Sequence, residues 1–372
     1  MKHNKQNKSL GEIIVASDTL LSLIVVALGF LVGTVLILII DKNPAGMYKA
    51  ILQVLTGYNI DRGRFYIRYI GEWLCQSMPF ILCGFAMGFA ARAGLFNIGG
   101  EGQYIVGLTV AQFIAFYFPQ ISVLHWLAAL LFAAFAGGLW GAIVGWLKAK
   151  YEVSEVVATI MLNYIALYSS RILVSLIPGT NTYRTPNFPA SVLLKTAFLE
   201  KLTGGSRLNI GIVFVILSTL VYWFIMEKTS VGFGLRATGF NKEAARASGI
   251  SVVKSIVLSM FIAGVFAGLA GAIVALGSFR YGRVIASMDG YGFAGIAVAL
   301  VGNNRAGGTL LAGLLFGMLS SAQPLMESNS IPKEITYIIQ GLVVVFIALR
   351  AGFGIIVRNS LKKKLQKEIQ HA

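Results

Sequence analysis

Residues 19–40 read TLLSLIVVALGFLVGTVLILII, an unbroken apolar run that stops at Asp41-Lys42. About 20 apolar residues as a helix cross a hydrocarbon core of roughly 30 Å. A cleaved secretion signal instead has an apolar stretch of about 7–15 residues followed by a small-residue cleavage site, and no such site follows here. The run therefore reads as a retained first span. Lys2, Lys5 and Lys8 precede it and predict a cytoplasmic N-terminal tail over residues 1–18.

Working outward, nine more apolar stretches follow: Tyr69–Ala91, Gln103–Phe118, Leu124–Leu147, Val156–Ile177, Ile210–Met226, Val252–Leu276, Tyr291–Val301, Thr309–Leu325 and Ile335–Ala351. The expected fold is an all-α polytopic membrane protein of about ten transmembrane helices, with the membrane domain over residues 19–351. Tyr291–Val301 is too short to cross straight, so at least one segment is broken or re-entrant. Such irregularity at membrane depth is tolerated where protein or a water-filled cavity surrounds it.

Composition agrees. Of 372 residues, 56% are hydrophobic and 12% charged, about half the charge usual in soluble domains, and mean hydropathy is +0.76. Too little charge remains to cover a water-facing surface. A soluble enzyme, a nucleic-acid-binding domain and a disordered chain are excluded on this ground. The net charge of +16 is explained by loops: 18 Lys and Arg fall on the side of the N-terminal tail and 12 on the other, with Arg171 inside the fifth span. Positive loops favour the cytoplasm, which places both termini inside and gives the C-terminal tail 352–372 its basic character. The cations of Lys42–Arg68 run against this trend. Membrane lipids, not nucleic acid, are the expected partners of the surplus charge.

Several chemistries lack their groups. Cys75 and Cys83 lie eight residues apart in one apolar stretch, about 12 Å on a helix, which is beyond disulfide reach. His3, His125 and His371 are scattered, so no Cys/His metal site is expected. No GxxxxGK[ST] phosphate loop or GxSxG occurs. The four aspartates lie at span edges or in loops. No catalytic residue and no cofactor of this chain is expected.

What remains is a short set of polar groups within or beside spans, which are costly in lipid and face a bundle interior or a water-filled path. Glu72, Gln76, Asn97, Glu101, Gln103, Asn163, Asn303 and Asn304 are the polar candidates for a solute path, with Phe96 and Tyr164 as aromatic ones. Interhelical hydrogen bonding is an equal alternative for each. Two glycine-rich interruptions stand out, ARAGLFNIGGEGQ at 91–103 and VGNNRAGG at 301–308. Both predict unwound or tightly turned backbone able to meet a polar solute. Their shared composition and orientation allow an internal repeat.

A third feature is the loop 228–254, KTSVGFGLRATGFNKEAARASGISVVK. Asn241 is a good N-cap for a short helix over Lys242–Ser248, and Gly249 suits its end. Small alanines flanked by Arg236, Lys242 and Arg246 predict a compact knob that enters a groove on another protein. An interfacial helix would need bulky apolar anchors, which this segment lacks.

This loop resembles the coupling helix of permease subunits of ABC importers, in the superfamily serving ribose and other simple sugars, nucleosides and branched-chain amino acids. The resemblance rests on GxxLRAxGxNxxAAxxxGI, matched by Gly232, Leu235, Arg236, Ala237, Gly239, Asn241, Ala244, Ala245, Gly249 and Ile250. AGLFNIGGEGQ is similar to the nucleoside-type branch, and the long N-terminal part to the larger of two paired permeases. The resemblance covers nearly the whole chain after the first span.

It implies a non-catalytic subunit of an importer in a bacterial cytoplasmic membrane, taking up nucleosides by alternating access. ATP and Mg would be held by a separate ATPase subunit docked on the coupling loop. A second homologous permease, in a heterodimer, and an extracellular substrate-binding lipoprotein on the outer loops Asp41–Arg68 and Gly179–Arg207 would complete it. Simple sugars or branched-chain amino acids are alternative substrates. An ion-coupled secondary carrier is the alternative from another class; Glu72 and Glu101 are the intramembrane acids it could use.

Overall fold

The computed structural model describes residues 18–349; the expected tails lie outside the described residues, except that Asp18 already belongs to the first helix. Each of the ten apolar stretches is helical over most of its described length. The helices are α1 (Asp18–Ile39), α2 (Ala45–Thr56), α3 (Arg68–Arg92), α4 (Gly100–Tyr117), α5 (Ser122–Tyr151), α6 (Glu155–Ser175), α7 (Ala197–Leu202), α8 (Gly211–Lys228), α9 (Ser230–Phe240), α10 (Lys242–Ala247), α11 (Val252–Ser278), α12 (Tyr291–Val301), α13 (Ala306–Ser328) and α14 (Glu334–Ala348). Six of them, α3, α5, α6, α8, α11 and α13, are long and apolar enough to cross a membrane. Shorter apolar helices occupy Val26–Ile39, Tyr291–Val301 and Glu334–Phe346. Two small antiparallel pairs complete the described chain: β1 (Tyr58–Asn59) with β2 (Arg64–Phe65), and β3 (Arg184–Asn187) with β4 (Tyr281–Arg283).

The described residues form two compact units, one from the described parts of Met1–Met47 and Met326–Ala372, the other Tyr48–Leu325. In the first, α1 packs on α14. A Cβ at Gly29 or Gly33 would fall 2.6 Å from Val343 or Ile339, so these glycines set the distance between the two helices.

The second unit is built on a seam of small residues. A Cβ on Gly137 would lie 2.5 Å from the carbonyl oxygen of Gly264 and 2.7 Å from the Cα of Gly268, and one on Gly107 would meet the Gly268 backbone. Backbones of α4, α5 and α11 thus touch. In lipid, where no hydrophobic force joins helices, such close van der Waals contact is what holds them.

On the other side of the unit, α3 is flanked by α12 and α13. Gly295 sits against Cys83 and Gly84 against Val298, while Gly313 sits against Ile81 and Gly317 against Ser77. Along α3, its partners on α12 rise in number and those on α13 fall, so α12 runs parallel to it and α13 antiparallel. Trp73 donates its indole N–H to the carbonyl of Leu314 at 2.8 Å, fixing the register.

The short eighth stretch is a half-helix. At about 1.5 Å per residue, the 11 residues of α12 cover roughly half of a membrane. Residues 284–290 before it are non-helical, and a tight turn joins α12 to α13. The sequence carries no comparable apolar signal for α2, the β1/β2 hairpin or α7, all of which lie in segments expected as loops.

Candidate functional site

Three places in the second unit concentrate the sequence candidates. The first is the glycine-rich stretch between α3 and α4. The α3 helix ends in a tight reversal in which Leu95 N–H reaches the Ala90 carbonyl and Gly94 N–H reaches Ala91, both at 3.0 Å. Gly94 has φ +75°, which glycine adopts without a Cβ clash.

After this reversal the polar side chains turn on one another. Asn97 Nδ2 donates to Gln103 Oε1 at 3.0 Å, and Gln103 Nε2 returns a bond to Asn97 Oδ1 at 3.2 Å. Asn163 on α6 accepts from the Gly102 N–H at 2.8 Å and donates to the Ile98 carbonyl at 3.1 Å. Glu101 accepts from the N–H groups of Gly290 (2.8 Å) and Gly292 (2.6 Å). It therefore caps the half-helix α12 from another helix, satisfying donors that the first turn leaves open and favourably placing a negative charge at that end. Asn97, Glu101, Gln103 and Asn163 are all essentially inaccessible.

The same capping network continues outward from α12. Tyr104 donates to Asp289 Oδ2 at 2.8 Å, and Arg283 grips Asp289 with two guanidinium nitrogens, one at 3.1 Å. Burial works against the Arg283 charge most strongly, but the bond to Asp289 together with the charge on Asp289 and the nearby tyrosines holds the guanidinium above its ordinary pKa. The non-helical chain before α12 is thereby pinned to α4.

The second place is a cavity of about 730 Å³ at the N-terminal end of α3, bordered by Arg62, residues 65–69, Gly204, Arg207 and the end of α13. Glu72 and Gln76 line it. Glu72 accepts from the backbone N–H of Arg207 at 3.0 Å and from its Nε at 2.8 Å, with Arg68 at 4.0 Å. Burial opposes the Arg207 charge, and Glu72 more than restores it, so that guanidinium also sits above its ordinary pKa. Arg207, Tyr66, Tyr69, Ser320 and Ser321 belong to this cavity and carried no recognisable signal in the sequence, because their elements meet only in the fold.

The third place is a cavity of about 560 Å³ at the other end of α3, lined by Arg92, Tyr222, Glu227, Asn303 and Arg305 among others. Twenty residues of helix separate Glu72 from Arg92, about 30 Å, close to the thickness of a hydrocarbon core. Asn303 and Asn304 make the α12–α13 turn, both with positive φ of 54° and 52°. Asn304 N–H reaches the Ala299 carbonyl at 2.9 Å, the same helix ending as at Gly94. The likeness of the two interruptions is thus a shared way of stopping a helix. Tyr222 donates to the Asn304 carbonyl at 2.8 Å.

The loop 228–254 attaches at this end. Asn241 Oδ1 accepts from the N–H groups of Glu243 and Ala244, both at 3.0 Å, and caps α10 as its sequence predicts. Ile250 N–H returns to Ala245 and Gly249 to Arg246, each at 3.0 Å, with Gly249 at φ +81°. Thr229 caps α9 through the Gly232 N–H at 3.1 Å, and Gly232 lets α9 approach the Met226 carbonyl.

Leu235 and Ala245 are buried, whereas Ala244 is exposed. The two alanines therefore separate into one that packs within the chain and one that faces out. Phe240, the last residue of α9, is 96% exposed, so the expectation that this segment lacks a bulky apolar anchor is corrected. Glu227 bridges Arg92 (2.8 Å) and Arg236 (2.6 Å). A Cβ at Gly94 would lie 2.9 Å from the Cα of Gly239. The loop is thus keyed by an ion-pair triad and a glycine contact onto the start of the first interruption.

Of the aromatic candidates, Phe96 and Tyr164 are exposed and apart from the buried cluster. Tyr164 stacks on Tyr168, with ring centroids 6.5 Å apart.

The family described as branched-chain amino acid transport system / permease component matches residues 69–348. The chain is 41% identical over 350 residues to the guanosine ABC transporter permease protein NupP of Bacillus subtilis, across 94% of this chain and 98% of that protein. It is 34% identical over 339 residues to the nucleoside ABC transporter permease protein NupB of Lactococcus lactis subsp. cremoris, across 89% and 91%. To the guanosine ABC transporter permease protein NupQ of Bacillus subtilis it is 27% identical over 294 residues, across 75% and 90%. No solved structure matches the chain.

Proposed function

The chain belongs to the family of permease components described for branched-chain amino acid transport, and we propose that it is the membrane subunit of an ATP-driven importer of nucleosides. The names of NupP and NupB support nucleosides over simple sugars and branched-chain amino acids. NupP and NupQ, two guanosine permeases of one organism, support pairing of this chain with a second, non-identical permease. An external binding lipoprotein delivers the solute, and ATP and Mg sit on the ATPase subunit.

With both termini in the cytoplasm, the cavity at Glu72 and Gln76 opens outward, and α9–α10 faces the ATPase. Phe240 and Ala244 are the contact surface, while Gly232, Leu235, Gly239, Asn241, Ala245 and Gly249 shape it. The observation that carries this reading is the attachment of α9–α10 to Arg92 and Gly94. A push on Phe240 is passed through Arg236, Glu227 and Gly239 to the chain that holds the half-helix, biasing one of two packings. Glu72, Gln76 and Asn303 meet the solute at the two ends of the path, with Phe96 and Tyr164 as stacking surfaces on the way. Asn97, Glu101, Gln103, Asn163 and Asn304 set its walls.

The ion-coupled alternative is disfavoured because Glu101 is engaged by two N–H groups and Glu72 by Arg207, leaving neither as a free proton or ion carrier.

The test is Ala244→Glu in the assembled complex in lipid vesicles. Nucleoside uptake and substrate-stimulated ATP hydrolysis should both fall at least tenfold, with the melting temperature of the permease unchanged. Persistence of both activities sinks the docking assignment. Competition by unlabelled ribose or leucine, but not by nucleosides, would move the substrate to another branch of the family.

A further inference from the structure

We infer that the cavity at the N-terminal end of α3 is a recognition site on the permease itself for the guanine-type edge of a purine nucleoside. This rests on the nucleoside reading above and goes beyond it in assigning a base class and the residues that select it.

The cavity, at about 730 Å³, lies within the range of about 300–1,000 Å³ typical of small-molecule sites. Its polar groups are only partly used. A carboxylate has about four lone-pair positions, and Arg207 takes one on each oxygen of Glu72. Among the described residues, the side chains of Gln76 and Ser320 and the hydroxyls of Tyr66 and Tyr69 have no hydrogen-bonding partner. These unused donors and acceptors in one lining distinguish the cavity from the closed cluster at Asn97 and Gln103.

The order of these groups selects a base. A guanine edge presents two adjacent donors, the ring N–H and the exocyclic amine, next to a carbonyl acceptor. The remaining lone pairs of Glu72 take the two donors, and the guanidinium of Arg207 beside it supplies a donor for the carbonyl. A uracil edge has one N–H between two carbonyls, so the carboxylate would face an acceptor and lose affinity. The amide of Gln76 offers both a donor and an acceptor for the rest of the base, and Ser320 suits a ribose hydroxyl. Tyr66 and Tyr69, edge to face with centroids 6.1 Å apart, give the base an apolar wall.

The experiment is saturation-transfer NMR of guanosine and of uridine on the permease–ATPase complex in lipid nanodiscs, without the external binding protein. Guanosine should bind weakly and at least tenfold better than uridine. Gln76→Leu and Ser320→Ala should each weaken guanosine about fivefold to tenfold, the loss of one hydrogen bond. Glu72→Gln should abolish the preference for guanosine over uridine, a ratio that general damage to the fold does not move. Equal binding of the two nucleosides, binding of neither, or an unchanged ratio and affinity in Gln76→Leu and Ser320→Ala overturns the inference. Uptake by the same complex with its binding protein is read separately. Nucleoside uptake without guanosine binding at the cavity removes this site and leaves the import function standing, whereas absence of nucleoside uptake removes both.

Discussion

The polar cluster around Asn97 and the polar cavity around Glu72 are made of the same residue types, yet they end in opposite states. In the cluster, Asn97 and Gln103 exchange two hydrogen bonds, Asn163 closes on Gly102 and Ile98, and Glu101 caps α12. In the cavity, Glu72 is held by Arg207 while Gln76 faces open space. A polar group inside a membrane protein must be satisfied, and protein or solute can do it. The first region is satisfied by the fold and holds an irregular half-helix in place; the second is left for something else to satisfy.

The largest expected effect would break this comparison at Glu101. Glu101→Ala leaves the first N–H groups of α12 without an acceptor in a buried place, a loss of about 2–4 kcal/mol. It should lower the melting temperature of the purified permease sharply, with Glu101→Gln intermediate. A Glu101→Ala protein as stable as wild type would mean that the cluster is no scaffold.

Next comes Gly94→Ala, which puts a Cβ at φ +75° and against Gly239. It should cost about 1–2 kcal/mol and reduce recovery of the ATPase on co-purification, because the same contact seats α9–α10. Undiminished co-purification would detach the first interruption from the docking loop.

Gln103→Leu is smaller, about 1–2 kcal/mol for Asn97 left unpaired. Combined with Asn97→Leu, the second substitution should add little, so a double-mutant cycle in thermal stability gives a coupling of that order. Additive losses would show that the two amides act separately.

Smallest in stability is Gln76→Ala, within about 0.5 kcal/mol, yet it should raise the KM for nucleoside uptake severalfold. A stability loss with unchanged KM would erase the distinction between the two regions.

Much of the fold was legible in advance for a simple reason. Water and lipid sort residues by polarity, so every apolar stretch long enough to matter became a helix, and the shortness of Tyr291–Val301 already marked the broken one. Local rules also sufficed at α10, where Asn241 and Gly249 set both ends. The polar path was legible only as a list of residue types. Glu101 reads the same whether it faces a solute or a distant helix end, since its partners, Gly290 and Gly292, lie 189 and 191 residues away. Phe240 gave no warning because exposure of an apolar residue beside an N-cap is decided by what packs around it.

By itself, then, the sequence determined that this chain inhabits a membrane as helices, where two helices must stop, and which loop forms a capped knob, because each of these follows from composition and spacing within a few residues. The tertiary structure alone decided which buried polar groups are spent on one another and which remain open. Arg207 meets Glu72, and Asn163 meets Gly102, only after segments far apart in the chain have packed, and a hydrogen bond depends on that final distance and not on residue type.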